Sequence, residues 1–195
     1  MTRIQVGILI SGRGSNMEAL VRAMQAPEFP AEPALVLSNR PEAAGLDIAA
    51  SLGVETAAID HKPFGKDREA FEREVDAALR RAGVELVALA GFMRVLTPWF
   101  VSQWRGRLIN IHPSLLPKHK GIDTHARALE AGDTEAGCTV HFVNEGVDDG
   151  EIIDQARVPI VDGDTPETLA ARVLVEEHKL YPRALLKVCV RLSAG

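Results

Sequence analysis

The chain has 195 residues, 46% of them hydrophobic, and a formal net charge of −5. That length suits one domain with a full core, and the acidic balance excludes a broad nucleic-acid or anionic-membrane surface. No apolar run approaches the ~18 residues that span a bilayer, so a membrane role is excluded too.

In chain order, the runs Val6–Ile10, Ala34–Leu37, Leu86–Ala90 and Leu108–Ile111 are unbroken and apolar. Such runs predict strands buried on both faces of a parallel sheet. The stretches 16–25, 41–52 and 68–82 lie between them and predict helices. Their apolar residues recur three and four apart, as at Phe71, Val75, Ala78 and Leu79. Alternation of strand and helix is the pattern of a doubly wound α/β domain, a mostly parallel sheet with helices on both faces.

The last third differs. Cys138–Val143 and Ile152–Ile160 read as adjacent strands joined by a turn over Gly146–Gly150, an antiparallel C-terminal addition. Thr165 before Pro166 reads as an N-cap with proline at the first helical position, opening a helix to about Val190. Pro182 is expected to break or kink that helix. No repeat, low-complexity tract or linker intervenes, so residues 1–195 are expected to form a single domain. Met1 leads straight into a strand-like run without a secretory leader pattern. Cys138 and Cys189 lack zinc or redox spacing and read as buried thiols of a reducing compartment, so a cytoplasmic protein is expected.

Three segments carry candidate chemistry. Ser11–Asn16 (Ser-Gly-Arg-Gly-Ser-Asn) joins the first strand to the first helix. Glycines let a ligand approach the backbone, and the free N–H groups of a helix start offer an anion site. The loop reads equally as a tight turn capped by Ser15 or Asn16. It lacks the third glycine of a dinucleotide fingerprint, and Arg13-Gly14 stands where a Walker A loop has Lys-Ser/Thr. Gly91–Leu96 follows a buried strand and offers apolar walls for a flat ligand; a Met and aromatic stripe is otherwise core. In Leu108–Pro117, Asn110 and His112 stand two apart on a strand that Pro113 ends, so both emerge on one side. An amide donor beside an imidazole suits acyl transfer, the one holding an oxyanion and the other moving a proton. Satisfied polar residues in a loop are the alternative.

Four blocks, Leu9–Asn16, Ala90–Leu96, Asn110–Pro117 and His141–Gly150, stand in the order found in the formyltransferase family that uses 10-formyltetrahydrofolate. The chain resembles that family over nearly its whole length. The resemblance implies the formyltransferase fold and formyl transfer from 10-formyltetrahydrofolate, a co-substrate, to the amine of glycinamide ribonucleotide in purine synthesis. It implies no metal, small-molecule substrates only, and a monomer or homodimer. Asn110, His112 and Asp148 are implied as catalytic. Gly14, Ser15 and Asn16, with Arg13, are implied to hold the nucleotide phosphate, and Glu177 the ribose hydroxyls. Arg68, Phe92, Met93, Arg94, Val95, Leu96, Val143 and Asn144 are implied around the folate, together with Asn110 and Asp148. About residues 1–100 then form a nucleotide-binding half and about 101–195 a folate and catalytic half.

Several of these residues have plainer readings. Arg68 could be a helix-face charge paired with Glu72, Glu177 part of a solvated face, and the turn aspartates local backbone caps. Asp149 stands where the family commonly has glycine, which leaves Asp148 and Asp149 open to exchange. His141 is read as structural. Lys120 departs from a proline common in the family, and Leu116–Pro117 is expected to be cis, as active-site turns favour such bonds.

Two related enzymes and one unrelated class compete with this reading. A formyltetrahydrofolate hydrolase is expected to carry an extra N-terminal domain. A methionyl-tRNA formyltransferase is expected to carry a basic C-terminal domain of ~100 residues for phosphate neutralisation. A non-enzymatic nucleotide-binding module would use the glycine loop alone.

Overall fold

A computed structural model describes residues 2–194. Seven strands form one sheet: β1 (Ile4–Ile10), β2 (Ala31–Ser38), β3 (Thr56–Ala58), β4 (Leu86–Leu89), β5 (Leu108–His112), β6 (Glu135–Phe142) and β7 (Ile152–Pro159). Their spatial order is β3-β2-β1-β4-β5-β6-β7. β1 to β5 pair in parallel, whereas β5–β6 and β6–β7 pair antiparallel, as the sequence predicts. Among the described residues six α-helices cover the sheet: α1 (Ser15–Met24), α2 (Ala44–Ser51), α3 (Arg68–Arg81), α4 (Pro98–Gln103), α5 (Thr124–Glu130) and α6 (Pro166–Ser193).

The sheet separates two cores. Ile8, Ile10, Ile109 and Ile111 pack with Met17 and Leu20 of α1 and Leu180 and Leu185 of α6. Leu9, Leu37, Val87 and Leu108 pack on the other face with Phe71 and Leu79 of α3 and Trp104 after α4. Adjacent strand residues thus feed opposite cores, which is why the parallel strands read as continuous apolar runs. Both cysteines are buried and free, and burial pushes the Cys138 thiol up to about 12 and Cys189 to about 11.

Two local expectations need correction. Pro182 does not end α6, which is assigned as one helix of 28 residues with that proline inside it. Val173 and Leu180 before the proline and Ala184, Leu185 and Val188 after it all enter the same core, so packing outweighs the lost backbone bond. Its start follows expectation, with Thr165 and Thr168 forming a reciprocal capping box. α1, by contrast, has no side-chain cap: its N-cap is Gly14, in the left-handed conformation with φ 69°. The Leu116–Pro117 bond is cis, as expected.

β2 and β3 lie to one side of β1, β4 and β5 to the other. The connections leaving β1 and β4 therefore diverge, and a crevice opens at the carboxyl ends of these strands. The glycine loop after β1 and residues 90–97 after β4 both emerge there.

Candidate active site

β5 ends at His112, where Pro113 has no N–H to continue the ladder. Asn110 and His112 share the strand face of Leu108 and line one cleft, while Ile109 and Ile111 point into the opposite core. His112 Nε2 lies 3.0 Å from the carbonyl of His119. A carbonyl only accepts, so Nε2 carries the proton and Nδ1 is left for chemistry. Nδ1 in turn lies 3.3 Å from Asp148 Oδ2. That same oxygen accepts from the Gly121 N–H at 2.9 Å.

The two turn aspartates separate cleanly. Asp148, mostly buried and with φ 47°, turns its carboxylate inward to His112. Asp149 is exposed and forms an ion pair with Lys120, which holds its carboxyl below the usual range. The departure at Lys120 thus supplies the partner that keeps Asp149 outside.

His141, expected to be structural, lies against Asn110. β6 pairs with β5 so that His141 stands opposite Asn110. Its Nδ1 donates to the Phe142 carbonyl at 2.9 Å, so Nε2 faces Asn110 Nδ2 at 3.5 Å as an acceptor. Burial pushes His141 down towards the neutral ring, against the opposing influence of the Phe142 carbonyl and Asp148. A neutral acceptor there orients the Asn110 amide and leaves its second hydrogen for a ligand.

The cleft over this group has a volume of about 360 Å³ and is lined by Phe92 to Leu96, Val143, Asn144 and residues 145–148. Met93 and Val95 are 73% and 64% exposed, and with the exposed Ile122 and Val147 they give the cleft an apolar rim. Arg68 is not in this cleft; it lines an adjoining basic cavity with Lys66 and Arg94. The expected Arg68–Glu72 pairing is replaced, because Glu72 turns inward to the Thr97 N–H at 2.9 Å and to its hydroxyl. Burial raises the Glu72 carboxyl despite those bonds.

A second cleft, about 230 Å³, is lined by Ser11 to Asn16 with Arg40, Ala90, Gly91 and Met93. The first intrahelical bond of α1 runs from Glu18 N to Gly14 O, so the preceding N–H groups have no helical partner. Ser11 donates to Asn39 Oδ1 at 2.6 Å and accepts from Met93 N at 2.8 Å, tying the walls of the two clefts together. Glu177, 8% exposed, reaches this loop through Asn16 Nδ2 at 2.8 Å. Burial raises its carboxyl above the ordinary range. Asn16 Oδ1 is buried with no hydrogen-bond partner among the described residues.

Arg40, Ser11 and His119 were not singled out from sequence. Their places depend on pairing between distant strands and loops, which leaves no local pattern. No group of three or more metal-ligating side chains occurs among the described residues. No described helix is long and apolar enough to cross a membrane.

Residues 4–185 match the family model described as formyl transferase. The chain is 52% identical to the trifunctional purine biosynthetic protein adenosine-3 of Drosophila pseudoobscura pseudoobscura, over 94% of this chain but only 14% of that protein. It is 44% identical to phosphoribosylglycinamide formyltransferase of Escherichia coli (strain K12), over 92% of this chain and 84% of that one. Among solved structures, phosphoribosylglycinamide formyltransferase from Brucella melitensis superposes with a TM-score of 0.92 at 53% identity, covering 96% of both chains. The histidine, amide and carboxylate at one sheet edge thus sit in a chain that belongs to the formyl transferase family.

Proposed function

We propose that this protein transfers the formyl group of 10-formyltetrahydrofolate to the amine of N1-(5-phosphoribosyl)glycinamide in purine biosynthesis. The observation that carries the reading is the convergence of Asn110, His112 and Asp148 in one cleft that shares its Met93 wall with a second cleft of different character. The amine attacks the formyl carbon, giving a tetrahedral centre with charge on oxygen. The spare amide hydrogen of Asn110 donates to that oxygen, and so does the Nδ1–H that His112 gains when it takes a second proton beside Asp148 and becomes imidazolium. Asp148 then takes the ammonium proton, directly or through a water, the same proton passes on to the folate nitrogen, and that nitrogen leaves as a neutral amine while the oxyanion collapses to the new formamide.

The nucleotide phosphate sits on the open α1 start at Gly14, Ser15 and Asn16, with Arg13 beside it. Glu177 accepts from the ribose hydroxyls, and a hydroxyl donated to Asn16 Oδ1 satisfies that orphan atom. The folate lies against Phe92, Met93, Arg94, Val95 and Leu96, with Val143 and Asn144 opposite and Arg68 further out. On this reading the nucleotide belongs mainly to residues 1–100 and catalysis to 101–195, with Met93–Leu96 and Glu177 crossing over.

The deciding assay mixes the protein with 10-formyltetrahydrofolate and the nucleotide. Loss of the formyl group that depends on the amine supports transfer. Formate released without the amine marks a hydrolase and defeats the proposal.

Gly14→Val places a branched side chain at φ 69°, with its Cβ 3.1 Å from Met17 Cε. It is expected to raise KM for the nucleotide far more than KM for the folate. Equal effects on both would remove the phosphate from this loop.

Glu177 gives a pH prediction. Because its folded-state carboxyl is raised, folded protein holds that proton more tightly than unfolded chain. Its contribution to stability is therefore complete at acid pH and is lost as pH rises through the raised value. Glu177→Gln is expected to unfold at a higher temperature than the native protein near neutral pH, yet to bind the nucleotide less well. Thermal unfolding of both proteins across pH checks the first half and calorimetry the second.

A further inference from the structure

The segment 118–123 runs as a strap between His112 and Asp148. His119 accepts from His112 Nε2 at 3.0 Å, and two residues on the Gly121 N–H donates to Asp148 Oδ2 at 2.9 Å. To present that carbonyl, His119 adopts φ 53°, a left-handed conformation. Such a conformation costs a non-glycine residue about 1–3 kcal/mol and persists only where surroundings over-determine it. The determining contact is visible. His119 Nε2 lies 2.7 Å from Asp133 Oδ2, and both side chains are largely buried, at 16% and 14% exposure.

Asp133 is itself anchored just beyond α5, where its N–H donates to the Ala128 carbonyl at 3.1 Å. Its other carboxylate oxygen takes Lys118 Nζ at 2.8 Å. The bonds from Lys118 and His119 hold the Asp133 carboxyl below its usual range, so the acceptor stays charged. Neither His119 nor Asp133 lines the cleft over Asn110. Their common output is the position of one carbonyl.

We infer that Asp133, acting through His119, is a positioning residue for His112. By holding the His119 carbonyl in place it fixes the His112 ring and its tautomer, so that Nδ1 and not Nε2 faces the reacting atoms. The inference rests on the proposed role of His112 and adds a residue to it from outside the cleft. If the carbonyl moves, the Nε2 proton loses its acceptor, the ring turns, and Nδ1 ceases to be the reactive nitrogen.

The test compares Asp133→Ala, His119→Ala, the double variant, Lys118→Ala and His112→Ala in the full chain. Each single change at 133 or 119 is expected to lower kcat at least about tenfold, towards the roughly 100-fold that a ~1 Å misplacement costs. KM for both substrates should stay within about twofold, since ground-state binding is untouched. The double variant should be no worse than the poorer single, because both remove one device. Lys118→Ala should lower kcat less than either single change, because it leaves the His119–Asp133 contact in place.

Nitrogen-15 spectra of labelled histidines give a readout independent of turnover: the hydrogen-bonded Nε2–H signal of His112 should be lost in Asp133→Ala. Native kcat, multiplicative losses in the double variant, or an unchanged His112 signal would each overturn the inference. If Asp133→Ala does not fold, His119→Asn serves instead. Asparagine tolerates the backbone but is too short to reach Asp133, so native kcat there overturns the role as well. Activity that survives His112→Ala defeats the functional reading itself; activity lost there but native in Asp133→Ala defeats only the positioning role.

Discussion

His112→Ala is expected to lower kcat by about 100- to 1000-fold, the cost of removing one oxyanion donor, ~2.7–4 kcal/mol in the transition state. Nucleotide affinity should barely change, because the loop proposed to hold the phosphate lies on a different strand end. Asp148→Asn should produce a loss of similar order, for it removes both the charge beside His112 Nδ1, at 3.3 Å, and the proton acceptor. Asp149→Asn should leave kcat close to native, since that carboxylate faces solvent and Lys120. Steady-state kinetics on the three variants separate the possibilities. Near-native kcat in His112→Ala, or greater sensitivity at 149 than at 148, would assign the chemistry to the wrong residues.

Among the described glycines, Gly150 is where an added methyl group meets the tightest contact, and Gly150→Ala should be strongly damaging. A Cβ there would stand 1.6 Å from the Phe142 carbonyl oxygen and 2.7 Å from its carbon. Both are backbone atoms of β6, which carries His141, so no side-chain rotation relieves the clash. The 143–151 turn must open, and the upper end of ordinary overpacking costs, about 3 kcal/mol, is the least expected. For a chain of this size that lowers Tm by roughly 6–12 °C. The same opening withdraws Asp148 from His112, so kcat should fall with stability. Calorimetry and kinetics on one preparation test both parts. A variant with native Tm would show that the turn yields more easily than its contacts imply.

Sequence legibility follows range of interaction. The parallel strands were legible because burial on both faces leaves runs such as Val6–Ile10 with no polar interruption. β3 escaped because Thr56–Ala58 is only three residues long and half-exposed, and α4 and α5 because they are single short helices of 6 and 7 residues. Asn110 and His112 could be paired from sequence since a two-residue spacing on a strand is a local rule. His141 could not, because its place opposite Asn110 depends on the β5–β6 register, 31 residues apart. His119 escaped for a related reason: its contribution is a carbonyl, and every residue has one. Glu72 and Arg68 show the converse, a helical spacing that allows a pair which the pull of Thr97 prevents.

The bare α1 start, with Gly14 in place of a capping side chain, bears on how this protein tolerates genetic change. On the proposed reading the phosphate is anchored there by main-chain N–H groups, which random substitution reaches only by redirecting the backbone, while the side chains of Arg13, Asn16 and Glu177 around them stay open to change. The opposite cleft is drawn in side chains, from Phe92 to Asn144, and each substitution there redraws it. Mutational drift therefore falls unevenly on the two sides. If the proposed placement holds, the phosphate end is the better insulated, and natural variation or laboratory selection will find new donor preferences more readily than a new anchor for the acceptor.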